Sequence, residues 1–282
     1  MICLTGDLHH NSLGTGNQHH CDITEIQVAQ RYLDMLKEAQ VKVTFFVSGK
    51  SFLEEAPDLR SIYESELVEI GGHNWDCFEH TLFHRACNKI LGSYNGPAWY
   101  QYQDVKRTQD IIRKHTGRTI TAWRNHMYMH GPHTEHVLAK AGIKVCSDGV
   151  KKISRGPVWD SAGLYNMQLN VIPDHEHLFH AERTPEWVDN WVKRYHWSDD
   201  FGPKSYYVEE WTDLVLEQLR QNEANDTIST MIIHPITLYL CDRFKSFERI
   251  LDALSRAETI HVCDATATIE GAKAITGEKA VA

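Results

Sequence analysis

Short apolar runs alternate with longer amphipathic segments along most of this 282-residue sequence. The strongest run is VKVTFFV at residues 41–47, whose β-branched and aromatic side chains predict a buried strand. Weaker runs predict further strands at 2–5, 67–70, 119–123, 143–146, 167–172, 229–233 and 259–263. Because helical patterns separate these strands, the alternation predicts an α/β fold around a mainly parallel sheet, either open or closed into a barrel.

Five segments between the predicted strands have the apolar spacing of helices: 22–40, 104–115, 132–141, 205–222 and 243–256. Asp22 is expected to cap the first helix, with Glu25 three residues later. Gly117 and Gly142 are expected to end the second and third helices. No repeat, low-complexity tract or Gly/Ser/Pro-rich linker divides the chain, so we expect a single catalytic domain over residues 1–282.

Composition excludes several classes of protein. The formal charge is −9, from 29 Lys and Arg against 38 Asp and Glu, which argues against a nucleic-acid partner. No apolar run approaches the roughly 18 residues that a membrane span needs. The strand-like start at Met1 and seven cysteines without a CxxC pair favour a cytoplasmic protein with reduced thiols. Association into a homo-oligomer stays open.

Histidine is the unusual residue, since the 18 present are about three times ordinary usage. Many of them, with several Asp and one Arg, come directly after predicted strands. In parallel α/β sheets, ligands bind beyond the carboxyl ends of the strands, so we expect these side chains to meet at one site. The group comprises Asp7, His9, His10, His73, Arg124, His126, Asp148, Asp174, His175, His177 and His234.

Asp7 and His9 point the same way if the first strand extends through them, because strand side chains alternate. One pocket then receives a carboxylate and an imidazole, suited to a base and a metal ligand. A solvated, polar strand end is the alternative.

The pair Gly71-Gly72 predicts a sharp turn off the third strand. If a helical turn follows, His73, Cys77 and His80 share one face and can bind a divalent cation. Taken alone this spacing is weak evidence, because histidines at helical intervals are common.

Arg124 follows a buried strand, where a guanidinium is costly unless it pairs with a carboxylate or binds an anion. His234 stands at the end of another strand, directly before Pro235. A purely structural role is the alternative for both residues.

These motifs, in this order, resemble the polysaccharide deacetylase (NodB-homology) superfamily, also called carbohydrate esterase family 4. The resemblance covers most of the chain. It is carried by Thr5-Gly-Asp7, the strand Val43-Thr-Phe-Phe-Val, Gly-Gly-His73, Trp123-Arg124, Ser147-Asp148 and Ile233-His234-Pro235. It implies a distorted (β/α) barrel of about seven parallel strands, NodB-like, and metal-dependent hydrolysis of an amide bond.

The resemblance also implies roles for single residues. Asp7 would be the general base and His234 the general acid, Arg124 would orient Asp7, and His73 would bind the metal. Leu8 stands where the family places a metal-binding Asp, and His9 is the expected substitute. Cys77 stands where the family places a second His, and we favour His80 over Cys77 as the ligand.

Zinc is the expected cation, with cobalt, nickel and manganese as alternatives. Substrate contacts are expected from His126, Asp148, Asp174 and His175. The His-rich segment 172–180 lines the substrate pocket, forms a second cation site or is a polar loop. An aromatic stretch either stacks on sugar rings or packs as helix core. It consists of Trp187, Trp191, Tyr195 and Trp197.

The sequence therefore predicts a metal-dependent hydrolase of a non-peptide C–N bond, acting on a small-molecule or glycan substrate, with deacetylation of an N-acetylated sugar or glycan as the leading activity. Two alternatives remain. One is an intracellular amidase, deformylase or cyclic-amide hydrolase of the same superfamily. The other is an inactive metal- or carbohydrate-binding homologue.

Overall fold

The computed structural model describes residues 1–268 and is built around an eight-stranded sheet. The strands are β1 (Ile2–Leu8), β2 (Val43–Val47), β3 (Val68–Gly72), β4 (Ala122–Trp123), β5 (Val145–Cys146), β6 (Val158–Trp159), β7 (Tyr165–Asn166) and β8 (Ser229–Ile232). Their spatial order is β6-β7-β5-β4-β3-β2-β1-β8. Strand β6 is antiparallel to β7 and the other seven are parallel, so the predicted seven-stranded parallel arrangement is confirmed.

Helices connect the strands. They are α1 (Gly16–His19), α2 (Glu25–Glu38), α3 (Gly49–Glu54), α4 (Ala56–Tyr63), α5 (Thr81–Leu91), α6 (Ala98–Thr116), α7 (Thr134–Lys140), α8 (Asp174–His177), α9 (Pro185–Tyr195), α10 (Val208–Ala224), α11 (Pro235–Asp242) and α12 (Lys245–Ser255). Short 3₁₀ turns occupy Asn11–Leu13 and His126–Tyr128. No helix within residues 1–268 has the length and apolar composition needed to cross a membrane.

The sheet curls into an incomplete barrel. Beyond β7, the Met167 N–H donates to the carbonyl of Cys146 on β5, at 2.8 Å. Three residues later, the Asn170 N–H donates to the carbonyl of Thr230 on β8, at 3.1 Å. The stretch 167–171 therefore joins the two ends of the parallel sheet, although it was predicted as a regular strand. The distorted (β/α) barrel is confirmed.

The first helix begins later than predicted. Thr24, and not Asp22, caps α2, because its side chain accepts the N–H of Gln27 while the Gln27 side chain accepts the N–H of Thr24. The predicted helix at 104–115 begins earlier, at Ala98, directly after Pro97. The predicted last strand at 259–263 is reduced to a single parallel bridge between Ile2 and Thr259.

Gly71 and Gly72 are the last two residues of β3. The sharp turn predicted for this pair is therefore wrong. A β-carbon at Gly72 would stand 2.3 Å from the Trp123 ring, and one at Gly71 would stand 2.6 Å from Phe46. The two glycines are therefore required for close packing. The absence of side chains at both positions leaves room for the Phe46 and Trp123 rings to pack directly against β3.

The core lies on both surfaces of the sheet. Strands β1 and β2 are buried along their whole length, as expected of a parallel sheet covered by helices. The largest fully buried side chains include Trp123, Trp211, Phe45 and Arg124. Because Arg124 is charged, its burial requires hydrogen-bonding partners, and residues at the ends of the strands supply them.

Candidate active site

The carboxyl ends of β1, β3, β4 and β8 bring four predicted residues together. The Nε2 atom of His73 lies 3.7 Å from Oδ2 of Asp7, and Nε2 of His234 lies 3.8 Å from the same oxygen. Nη1 of Arg124 lies 2.8 Å from Oδ1 of Asp7. Side chains 227 positions apart in sequence therefore surround one carboxylate, because parallel strands end at the same edge.

Arg124 is fully buried and almost completely paired. Besides Asp7, its guanidinium donates to the hydroxyls of Thr5 and Ser147 at 2.9 and 2.8 Å, and Nε donates to the carbonyl of Ser147 at 2.8 Å. Its flat face lies 4.4 Å from the centre of the Phe46 ring. These contacts fix the guanidinium, which in turn fixes Asp7 through a charge-assisted hydrogen bond.

Asp7 is ionised in this setting. Burial opposes its ionisation, but Arg124 and the imidazoles of His73, His234 and His9 outweigh burial and hold the pKa of the Asp7 carboxyl well below its usual range. One oxygen is occupied by Arg124, and the other faces the imidazoles. The arrangement leaves Oδ2 available as a proton acceptor.

Four residues next to Asp7 form a group that can hold a metal ion. Ligand atoms of His9, His73, Cys77 and His126 all lie within 4.8 Å of one another. Nε2 of His73 and Nδ1 of His126 are 3.2 Å apart, a separation typical of two ligands of one cation. His126 was predicted to contact substrate; it also lines the cavity beside Asp7, so that contact stays a prediction alongside a place among the possible metal ligands.

Partners behind the imidazoles set their tautomers. Nδ1 of His73 lies 2.9 Å from the carbonyl oxygen of Arg124, which only accepts, so Nδ1 carries the proton. Nδ1 of His9 lies 2.9 Å from Oε1 of the buried Glu25 carboxylate, which also accepts the His9 backbone N–H. Both rings therefore present an Nε2 lone pair, as metal-binding histidines do.

The protonation states also suit a metal. Burial lowers the pKa of His73 to about 4, and burial with neighbouring imidazoles lowers the pKa of His126 well below its usual range. These rings are neutral at physiological pH and can donate lone pairs. Burial raises the pKa of the Cys77 thiol, so this ligand would lose its proton only on binding a cation. The donor set fits a borderline cation such as zinc.

The preference for His80 over Cys77 is wrong. His80 is exposed at the start of α5 and lies outside the group, whereas Cys77 is buried within it. The backbone between them is left-handed at Cys77 and Phe78, with φ of 50° and 65°, so no helical turn places residues 73, 77 and 80 on one face.

Asp174 holds His234 and is not open to substrate. Its Oδ1 lies 2.8 Å from Nδ1 of His234, and its Oδ2 accepts the His234 backbone N–H at 2.6 Å. Burial opposes a charge on His234, but the Asp174 carboxylate outweighs burial and raises the pKa of His234 to about 9. The imidazolium form therefore exists at neutral pH, and the substrate contact predicted for Asp174 is replaced by this pairing.

Asp148 is likewise buried away from the cavity that Asp7 faces. It accepts the backbone N–H of Asn125 at 2.8 Å and pairs with Nε2 of His130 at 2.8 Å. Cys146 completes a second group of possible ligands with His130 and Asp148. Asp148 therefore does not line the cavity in which it was predicted to contact substrate.

A cavity of about 340 Å³ opens above the Asp7 oxygen. Of the His-rich segment, His175 lines it, whereas His177 is buried against Asp199 at 3.0 Å. Three larger surface depressions contain none of the Asp7 group. Sequence reasoning missed several lining residues of the cavity: Glu25, which it read only as a helix-start signal, and Met127, Tyr128, Glu176 and Arg183.

Comparisons with known proteins agree with this geometry. The family model described as polysaccharide deacetylase matches residues 22–146. No curated protein matches the sequence.

Among solved structures, one assigned to the polysaccharide deacetylases of Mycobacterium smegmatis has a TM-score of 0.70 and 16% identity, covering 96% of this chain and 90% of its own. An allantoinase has a TM-score of 0.63 and 10% identity, covering 93% and 87%. A family 4 acetyl xylan esterase of Clostridium thermocellum, solved with a cobalt ion, has a TM-score of 0.51 and 15% identity. That match covers 96% of this chain and 91% of the esterase chain. Such identities establish a shared fold. The family match over residues 22–146 agrees with the resemblance to the polysaccharide deacetylases inferred from the motifs.

Proposed function

We propose that this protein is a metal-dependent hydrolase that removes the acetyl group from an N-acetylated sugar or short glycan. One observation carries the proposal. A single carboxylate oxygen, Oδ2 of Asp7, lies 3.7 Å from the metal-ligand candidate His73 and 3.8 Å from the protonated His234. A base, an acid and a cation site therefore face one another across a space that fits an amide group.

His9, His73 and His126, with Cys77, would hold the cation, for which zinc is the favoured identity and cobalt, nickel and manganese are alternatives. A bound divalent cation supplies Lewis acidity, which lowers the pKa of a water molecule and polarises a carbonyl. Glu25 and the Arg124 carbonyl keep the ligand rings in the tautomer that this requires.

Asp7 accepts the proton of the attacking water at Oδ2. Its charge is maintained by Arg124, and its position is fixed because Oδ1 is held by the same guanidinium. As the water oxygen bonds to the acyl carbon, the proton moves to Asp7 and the amide carbon becomes tetrahedral.

His234 then protonates the leaving nitrogen. With Nδ1 facing Asp174, its free N–H is at Nε2, on the side of Asp7. Donation of this proton lets the C–N bond break with release of a neutral amine instead of an amide anion. The products are acetate and the free amino sugar.

Two tryptophans favour a sugar substrate. Trp187 and Trp191 lie on α9 and line the cavity, with ring centroids 6.0 Å apart and an angle of 18° between their planes. Trp187 remains 37% exposed. Broad apolar rings of this kind pack against the C–H face of a pyranose, which helix-core tryptophans cannot do.

The size of the cavity favours a second candidate, hydrolysis of a small cyclic amide. About 340 Å³ is at the lower end of small-molecule sites, which span roughly 300–1,000 Å³. The fold similarity to an allantoinase is compatible with such a substrate. A cytoplasmic location is also proposed, supported by seven unpaired cysteines.

The test starts from protein stripped with a chelator and reloaded with zinc. We expect acetate release from N-acetylglucosamine and its short β-1,4 oligomers only after reloading. Asp7→Asn should abolish release while zinc content stays near that of the original protein. Asp34→Asn, an exposed change on α2, is the matched control.

Release that is indifferent to the chelator contradicts the mechanism. Zinc binding without hydrolysis of sugar amides or cyclic amides identifies a binding protein.

A further inference from the structure

Arg183 is a buried cation in the wall of the active-site cavity and has no carboxylate partner. It lies between α8 and α9, is only 6% exposed, and lines the cavity with Asp7 and His234. Within residues 1–268, no carboxylate oxygen lies within 4.0 Å of its guanidinium nitrogens; its one side-chain hydrogen bond runs from Nη2 to the backbone carbonyl of Glu176, at 3.0 Å.

One donor of Arg183 is both buried and unpaired. Its Nε has no hydrogen-bond partner. An arginine keeps its charge in proteins, and an unpaired buried donor on a charged group is unfavourable. In Arg124, by contrast, Nε, Nη1 and Nη2 are all hydrogen-bonded. A ligand with an acceptor group would satisfy the unpaired Nε of Arg183.

Aromatic packing holds the Arg183 side chain without using its donors. The guanidinium carbon lies 5.0 Å from the centre of the Trp187 ring and 5.1 Å from that of Trp191. Such contacts engage the flat face of a guanidinium, and they leave its in-plane N–H groups free for a planar acceptor.

The acidic groups nearby do not fill this role. Glu176 and Glu182 line the same cavity, but neither carboxylate reaches Arg183. Oε2 of Glu182 lies 3.8 Å from Nε2 of His20 instead. Burial raises the pKa of Glu176.

We propose that Arg183 forms a subsite for a carboxylate of the substrate, so that the site prefers an acidic N-acyl sugar over a neutral one. This inference rests on the proposed deacetylase function. A carboxylate would accept from the open Nε and a neighbouring Nη, the paired geometry in which guanidinium binds carboxylates most strongly.

The test measures binding separately from hydrolysis. Zinc-loaded Asp7→Asn protein is titrated calorimetrically with N-acetylglucosamine and with two acidic counterparts. One is N-acetylglucosaminuronic acid, which has its carboxylate at carbon 6, and the other is N-acetylmuramic acid, which has it on the substituent at O3. We expect at least one acid to bind about tenfold or more tightly than the neutral sugar.

Variants at Arg183 test whether this residue causes the difference in affinity between the acidic and the neutral sugars. In the same background, Arg183→Gln should abolish the preference for the acid while affinity for the neutral sugar changes less than about twofold, and Arg183→Lys should retain part of it. Arg194→Gln, an exposed arginine on α9, is the control. The comparison of ligands on unaltered Arg183 stays decisive if Arg183→Gln fails to fold.

Equal binding of all three sugars, or an acid preference that survives in Arg183→Gln, overturns the inference. Neither result affects the proposed function, which acetate release from neutral N-acetylglucosamine oligomers tests independently. Absence of binding by both acids also overturns the carboxylate subsite, whether or not the neutral oligomers are hydrolysed.

Discussion

The carboxylate of Asp174 holds His234 at two atoms, accepting the ring Nδ1–H at 2.8 Å and the backbone N–H at 2.6 Å. The first contact sets the charge of the imidazole and the second sets the position of the residue. A strand end and the start of α8 are thereby joined through one buried acid, and the proton-donating atom of His234 is turned towards Asp7.

Asp174→Asn should lower the rate of hydrolysis about 100-fold, within the range lost with a general acid. Loss of the carboxylate lowers the pKa of His234 from about 9. Because the protonated form is active, the rate falls as pH rises through this pKa, and in the variant it should fall at a lower pH.

The pH–rate profile of the zinc-loaded enzyme measures this shift. Asp199→Asn, which removes the partner of His177 outside the cavity, should leave the alkaline limb in place. An unchanged alkaline limb in Asp174→Asn would show that His234 is not the group that titrates.

Cys77→Ser should weaken zinc binding about tenfold or more, because it replaces a soft thiolate with a poorly coordinating hydroxyl. His80→Ala should leave zinc affinity unchanged, since His80 is exposed and outside the ligand group. Competition with a chromophoric chelator measures both affinities. The reverse order of effects would restore the helical arrangement of residues 73, 77 and 80.

Glu25→Gln should weaken zinc binding about 10- to 100-fold without removing a ligand, as is usual when the partner behind a metal-binding histidine is altered. The amide can still accept from His9, but it supplies no charge. Glu182→Gln changes a carboxylate that lines the same cavity without contacting His9, and should have little effect. Equal losses in the two variants would point to cavity charge and not to the Glu25–His9 pair.

The ion pairs of His130 predict a pH dependence of stability. Burial opposes its charge, but hydrogen bonds to Asp148 and Glu135 outweigh burial and raise the pKa of His130 to about 10. A raised pKa contributes stability that is complete below the unfolded value of about 6.5 and is lost as pH rises through about 10.

The free energy of urea unfolding, measured from pH 6 to pH 10 on the metal-free protein, should therefore decline more steeply for the original chain than for His130→Gln. His133→Gln, an exposed change three residues away, should follow the original chain. Parallel curves for the original chain and His130→Gln would contradict the assignment.

The arrangement around Asp7 was predictable because it depends on two general rules. Strand side chains alternate, and parallel strands end at a common edge, so Asp7, Arg124 and His234 had to approach one another once their strands were recognised. The Gly71-Gly72 pair was also recognisable in the sequence as a special site. Its role was not, because glycine serves both turns and close packing and the rings packed against it lie elsewhere in the chain.

The errors share a physical cause. Whether a carboxylate faces a cavity or a backbone N–H is decided by neighbours remote in sequence, so Asp148 and Asp174 looked like open acids and proved to be buried partners. The route of the chain after His73 depends on left-handed residues that are not glycine, which spacing cannot reveal. Glu25 looked like a helix signal because its contact with His9 crosses a loop.

Arg124 directly follows β4 yet bonds to Thr5 and Asp7 on β1, with β3 and β2 between them in the sheet. These hydrogen bonds across the barrel fix the position of the Asp7 base without a contribution from the outer loops. Substitutions on α9, which carries Trp187 and Trp191, can thus change which molecules the cavity admits while Asp7 and Arg124 keep their alignment.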